Sequence, residues 1–298
     1  MLEHCCKVKS MGRRGALLLA VGALGAPAVG QDAATAGSAE AIPAAKDDRF
    51  HIAVTPYVWL PSLNGSVTVK GVKTDVDASF FDILSDSERV FGLMGAVDAS
   101  YDRFVFQVNA AWMTSEVDDQ EAGPRDGTLK ADASMDSTWL EFFGGYRFVD
   151  HKLDEDPASK RRFSLDGFVG GRVTWLDTDV TLKASADFTL PDGSVLGRDA
   201  SRDLSGSKEW IEPFFGARAA MDLTENWVGM VRGDIGGFGA GSQFAWQAVA
   251  GVGYRWHYET WNFALFGGYR ALGQDYEDGQ FEWDMIVHGP IIGMEFSF

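Results

Sequence analysis

From Gly145 onward a Gly-x-Arg triplet recurs five times, as Gly145-Tyr146-Arg147, Gly170-Gly171-Arg172, Gly216-Ala217-Arg218, Gly253-Tyr254-Arg255 and Gly268-Tyr269-Arg270. In the first three an acid stands six residues before the arginine: Glu141, Asp166 and Glu212. Alternate residues of a strand share a face, so on a strand each acid and its arginine point the same way. Arg232, Asp234, Asp98, Gln107, Asn109 and Glu295 fall in the same phase. Phe142, Tyr146, Val169, Phe215, Trp227, Val231, Tyr254 and Leu265 occupy the opposite one. Guanidinium and carboxylate groups so arranged cross-pair through charge-assisted, bidentate bonds, and the neighbouring glycines leave room for them. Such a ring has two uses. It forms the polar core that plugs a narrow barrel and fixes its register, or it sets the preference of a selective channel.

The elements that must carry these residues are strands. Ten alternating segments follow Arg49: one from Phe50, then Val90–Tyr101, Phe104–Met113, Ser137–Val149, Phe163–Trp175, Trp210–Asp222, Trp227–Gly236, Phe244–Trp256, Trp261–Leu272 and Phe281–Phe298. The connections after the first, third and fifth are long; those after the second, sixth and eighth are tight. Up-and-down transmembrane barrels show this asymmetry, and an even strand number leaves both termini on the short-turn side. The expected fold is therefore all-β, a transmembrane antiparallel barrel of about ten strands, with eight or twelve left open. Twelve would follow if two loop hairpins, near residues 66–76 and at Pro191-Asp192-Gly193, joined the wall. Pro56 lacks an N–H, which predicts an edge or bulge there.

An arginine facing hydrocarbon at mid-membrane costs about 2–4 kcal/mol, so the charged phase must face the lumen. On the last strand this assigns Glu295, Gly293 and Gly289 inward and Phe296, Met294 and Ile292 to lipid. Open aqueous channels typify barrels of about 16–18 strands, so near ten the interior fills with side chains, and the plugged reading leads. A short amphipathic piece, Phe80, Phe81, Ile83 and Leu84, is a candidate lumen plug.

Composition excludes other classes. A formal net charge of −17 argues against a nucleic-acid partner, which needs clustered Lys and Arg. Residues 1–30 have the layout of an export signal: a basic start (Lys7, Lys9, Arg13, Arg14), an apolar run from Gly15 to Gly25, then small residues. That run falls short of the roughly 20 residues of a spanning helix. Met11 is an alternative start. Cleavage would remove both cysteines and shift the charge from −17 to −20, four basic residues and Glu3 being lost. Residues 31–48 read as a flexible lead-in, and residues 49–298 as the barrel. Four histidines lie beyond the leader; His51 and His288 differ in phase, and no nucleophile, base and orienter converge. The acidic loop residues lack the twelve-residue calcium pattern and read as a solvated rim. No catalytic residue, metal or cofactor is expected.

The patches T-P-Y-V-W-L-P-S-L-N-G from Thr55, G-D-I-G-G-F-G-A-G-S from Gly233, G-G-Y-R at Gly267 and the ending H-G-P-I-I-G-M-E-F-S-F resemble a poorly characterised group of Gram-negative outer-membrane β-barrel proteins. The resemblance runs from Phe50 to Phe298. It implies outer-membrane location and barrel fold and brings no activity to particular residues. The aromatic Phe298 resembles the terminal signal that such barrels present to their assembly machinery. The expected partners are thus that machinery, outer-membrane lipid and lipopolysaccharide, with the protein a monomer. Its expected role is structural or surface-interacting, the alternatives being a narrow pore for ions or small solutes and a barrel enzyme acting on lipid or peptide.

Overall fold

The structure, a computed structural model, describes residues 50–69, 72–80, 87–122, 128–156, 159, 161–184, 188–189, 195–196, 200–258 and 261–297. The signal and lead-in readings, Phe81, Ile83, Leu84 and Phe298 lie outside them. The strands are β1 (Phe50–Trp59), β2 (Ser62–Val69), β3 (Val72–Ala78), β4 (Ser87–Tyr101), β5 (Phe104–Ala122), β6 (Thr128–Lys152), β7 (Arg162–Ala184), β8 (Phe188–Thr189), β9 (Val195–Leu196), β10 (Ala200–Asp222), β11 (Trp227–Ala240), β12 (Ser242–Tyr258), β13 (Trp261–Asp278) and β14 (Phe281–Ser297).

Ten of these close an antiparallel barrel: β1, β4, β5, β6, β7, β10, β11, β12, β13 and β14, with β1 pairing back onto β14. β2 continues β1 along the upper half of the same β14 edge, and β3 folds back against β2. The kink between β1 and β2 falls at Leu60-Pro61, where the Leu60 N–H donates to the Pro290 carbonyl at 3.0 Å. Gly289 is required there, because the Leu60 carbonyl occupies the space a Cβ would need. Pro56 stands in register with Gly95 of β4 inside the closed wall; its ladder to β14 is interrupted between Val54↔Phe296 and Tyr57↔Gly293.

Following paired residues around the wall from Met285 returns to β14 at Ser297, a stagger of twelve residues. Ten strands with that stagger tilt at about 40° and enclose a backbone cylinder of about 10 Å radius, given the usual strand spacings. Side chains can occlude a cylinder of that width.

The outer face carries the apolar phase: Val169, Val231, Phe142, Phe215, Leu265 and Ile292 are all exposed. At the short-turn end aromatic rings form a belt, with Phe104 against Tyr146, Trp227 against Tyr254 and Tyr254 against Trp256. This is the surface a transmembrane barrel presents to lipid. The assignment of the terminal strand holds: Ile291, Gly289 and Val287 are buried, while Ile292 and Met294 are exposed.

The wall is taller than the alternation indicates. β6, β7 and β10 have 25, 23 and 23 residues, about twice what a tilted membrane crossing needs. The stretches read as loops at residues 177–184 and 200–208 are paired strand extensions, with Ser207 opposite Asp177 and Leu204 opposite Val180. The glycine-rich segment from Gly236 is the bulged end of β11, where Gly237, Phe238 and Gly239 all take positive φ.

Candidate functional site

Three consecutive wall strands carry one inward pattern, acid-x-Phe-x-Gly-x-Arg: Glu141 to Arg147 on β6, Asp166 to Arg172 on β7 and Glu212 to Arg218 on β10. Antiparallel pairing reverses the middle copy against its neighbours. The rungs are therefore Glu141–Arg172–Glu212, Phe143–Gly170–Phe214, Gly145–Phe168–Gly216 and Arg147–Asp166–Arg218. Every acid meets an arginine and every phenylalanine meets a glycine. A Cβ on Gly145 would come 2.8 Å from that of Phe168, and one on Gly170 2.7 Å from that of Phe143. The triplets were visible in the sequence; the phenylalanine four residues before each of these three arginines was the unread part of the signal.

Arg172 is the hub. Its Nε donates to Glu141 at 2.9 Å, Nη1 to Glu212 at 2.7 Å and Nη2 to Asp234 at 2.7 Å, with no side chain of the four more than 1% exposed. Arg232 donates to Glu141 and Asp234, and Arg270 donates to Glu141 at 2.8 Å. Gln247 bridges Glu141, Asp234 and Arg270; Ser242 and Gln274 complete Glu212. Three arginines thus neutralise three carboxylates, the condition under which buried charge is tolerated. Arg232 also lies over the rings of Phe143 and Phe168, 5.1 Å from each centroid, so the phenylalanine trio forms an apolar seat for it.

Towards the short-turn end a second set follows. Arg147 donates to Asp166 at 2.8 Å, Arg218 to Asp98 at 2.7 Å and to Asp166 at 3.1 Å, and Arg255 to Asp222 at 2.6 Å. These groups line a cavity of about 850 Å³ entered from the short-turn end. Glu295 lies on its wall, apart from the paired groups.

Towards the long-connection end the lumen is apolar, which the charged phase alone did not indicate. Trp59, Trp139, Met94, Met113, Leu272 and Val287 pack as one buried cluster. Above it Trp210 stacks on Tyr276 at 4.2 Å, beside Leu176, Trp283 and Met285. Wall side chains therefore occupy the place foreseen for a plug. Of the plug residues Phe80 is described, and its N–H donates to Ser62 Oγ at 3.0 Å at the foot of β3.

The two histidines sit on different faces. His51 lines the cavity, whereas His288 is on the outer wall, its ring nitrogens 2.5 Å from Tyr269 Oη and from Asn64 Oδ1. Among the described residues no group of three or more His, Cys, Asp or Glu side chains could hold a metal ion.

No family model matches the chain, and no curated protein matches it. Solved structures of outer-membrane barrels resemble it in fold. The outer membrane protease OmpT from Escherichia coli is 9% identical over 85% of this chain and 98% of that one, with a TM-score of 0.47. Ail, the attachment invasion locus protein of Yersinia pestis, is 10% identical over 84% and 98%, with a TM-score of 0.30. A Pseudomonas aeruginosa FadL homologue is 8% identical over 84% and 90%, with a TM-score of 0.28. The architecture itself rests on the chain's own closed ladder, which makes it an all-β antiparallel barrel.

Proposed function

We propose that this is an outer-membrane protein of a Gram-negative bacterium, exported by a cleaved signal at residues 1–30. Its barrel acts as a structural or surface-interacting wall and not as a conduit. The observation that carries this reading is the double closure of the lumen, by the Arg172 network and by the Trp59–Trp139–Leu272 cluster above it. In this reading the barrel is a monomer, its last strand engages the assembly machinery, and its aromatic belt and outer rim meet lipid and lipopolysaccharide. Enzymatic activity is no part of this reading, and both nitrogens of His288 are engaged by Tyr269 and Asn64 on the outer wall. Cell fractionation together with solute entry into proteoliposomes tests the proposal. Recovery in the outer membrane with sugars excluded supports it; recovery in the soluble periplasm, or sugar entry, overturns it.

The second reading, a narrow pore for ions or small solutes, is favoured by the cavity, which already reaches from the short-turn end to Arg232 and Arg270. It requires both the Arg172 network and the apolar cluster to part.

A further inference from the structure

The cavity is lined by more carboxylates than arginines. Its paired charges are Asp98 and Asp166 with Arg147 and Arg218, Asp222 with Arg255, and Asp150 with Arg162. The deeper network is balanced at three and three. Among the described carboxylates that line the cavity, Glu295 and Asp102 have neither an ion pair nor a hydrogen bond. Asp102 is exposed on the β4–β5 turn, whereas Glu295 lies on the wall, where the charges of Asp98, Arg255 and Arg218 act on it from a distance.

The wall around Glu295 is built to keep it so. Its ladder partner on the inner face is Ala264 of β13. On the other side Thr55 of β1 falls level with it where the β1–β14 ladder is interrupted, and the next residue round from Thr55 is Ala96 of β4. All three are small and buried, and all line the cavity. They open a niche in front of the carboxylate. One rung deeper, Gly293 lies between Tyr57 and Phe266: a Cβ there would come 2.6 Å from both the Phe266 ring and the Tyr57 Cβ. The niche thus has a carboxylate on its floor, two aromatic residues at its inner side and small apolar walls.

We infer that this niche binds a small organic cation, a quaternary or primary ammonium, which enters from the short-turn end and neutralises Glu295. A half-buried carboxylate without a counter-charge on the wall of a narrow cavity is stabilised when a cation reaches it. A carboxylate beside aromatic rings suits an ammonium, whose methyl or methylene groups also contact the apolar wall. A hard divalent ion, by contrast, needs six or more oxygen ligands. The inference is independent of whether the lumen conducts, because the niche lies on the open side of the closure.

The test uses the full chain folded in detergent, with choline as the probe and acetate and glucose at equal concentrations as controls, read by saturation-transfer NMR and calorimetric titration. Saturable choline binding is expected, with none for acetate or glucose. Glu295→Gln should weaken choline binding at least tenfold while keeping the folded barrel's heat-modifiable gel mobility, since no hydrogen bond is lost. Ala264→Leu, which fills the niche and leaves the charge, should weaken it likewise. Absence of choline binding to the folded wild-type barrel overturns the inference, as does equal binding by Glu295→Gln. A protonated-carboxyl infrared band at neutral pH that disappears in Glu295→Gln would also overturn it, because a proton would then supply the neutralisation.

Discussion

Arg172 and Glu141 face each other across the β6–β7 ladder, Nε to Oε1 at 2.9 Å, with neither side chain reaching solvent. Arg172 also holds Glu212 and Asp234, so its loss would strand three buried carboxylates. Arg172→Ala is expected to destabilise the barrel by about 3–5 kcal/mol, the usual cost of breaking a buried pair. The urea midpoint of the refolded protein measures it. An unchanged midpoint would mean that the network contributes nothing to holding the wall.

The phenylalanine–glycine rungs make a steric claim. Gly145→Ala drives a methyl against Gly167, Phe168 and Val105, and overpacking of this kind costs about 1–3 kcal/mol. Gly206→Ala meets nothing within 4 Å and should leave stability within about 0.5 kcal/mol. Refolding yield and urea midpoint of the two variants, side by side, check the contrast.

The lipid-facing band is open to a similar test. Val169 is 65% exposed on the outer wall, and Val169→Arg should cost about 2–4 kcal/mol in a bilayer. Folding into lipid vesicles, followed by urea titration, reads the difference. An arginine tolerated there without cost would place the membrane elsewhere on the wall.

Above the band, Asp275 lies opposite Asp284 on β14. Partial burial, followed by the charges of Asp284 and Glu282, pushes its carboxyl above the ordinary value. A raised acid gives its stability below the unfolded value and loses it as pH rises through the folded one. Asp275→Asn should therefore match wild type in acid and exceed it slightly at neutral pH, by less than about 1 kcal/mol after solvent screening. Unfolding midpoints across that pH range show whether the two curves part in the expected direction.

Which residues face the lumen was legible because the alternation is strict: one phase holds Arg147, Arg172 and Arg218, the other Tyr146, Val169 and Phe215. The strand tops were not. Beyond the lipid band no apolar phase is needed, so Asp177-Thr178-Asp179 and Ser205-Gly206-Ser207 look like loop sequence, yet ladder pairing keeps them extended. The apolar upper lumen escaped for a related reason. Trp139 shares the phase of Glu141, and Trp283 that of Val287, but aromatic residues in a barrel sequence read first as lipid girdle. Only closure of the wall brings Trp59 and Trp139 within 5.8 Å of each other. The unpartnered state of Glu295 was invisible for the same reason, since its surroundings come from β1, β4, β12 and β13.

The central claim is that the lumen is closed, and planar-bilayer recording of the folded barrel tests it most directly. Wild type should be silent, while opening both layers, with Trp59, Trp139 and Leu272 replaced by glycine together with Arg172→Gly and Arg232→Gly, should produce current. Stable ohmic steps from the wild-type protein would contradict the account.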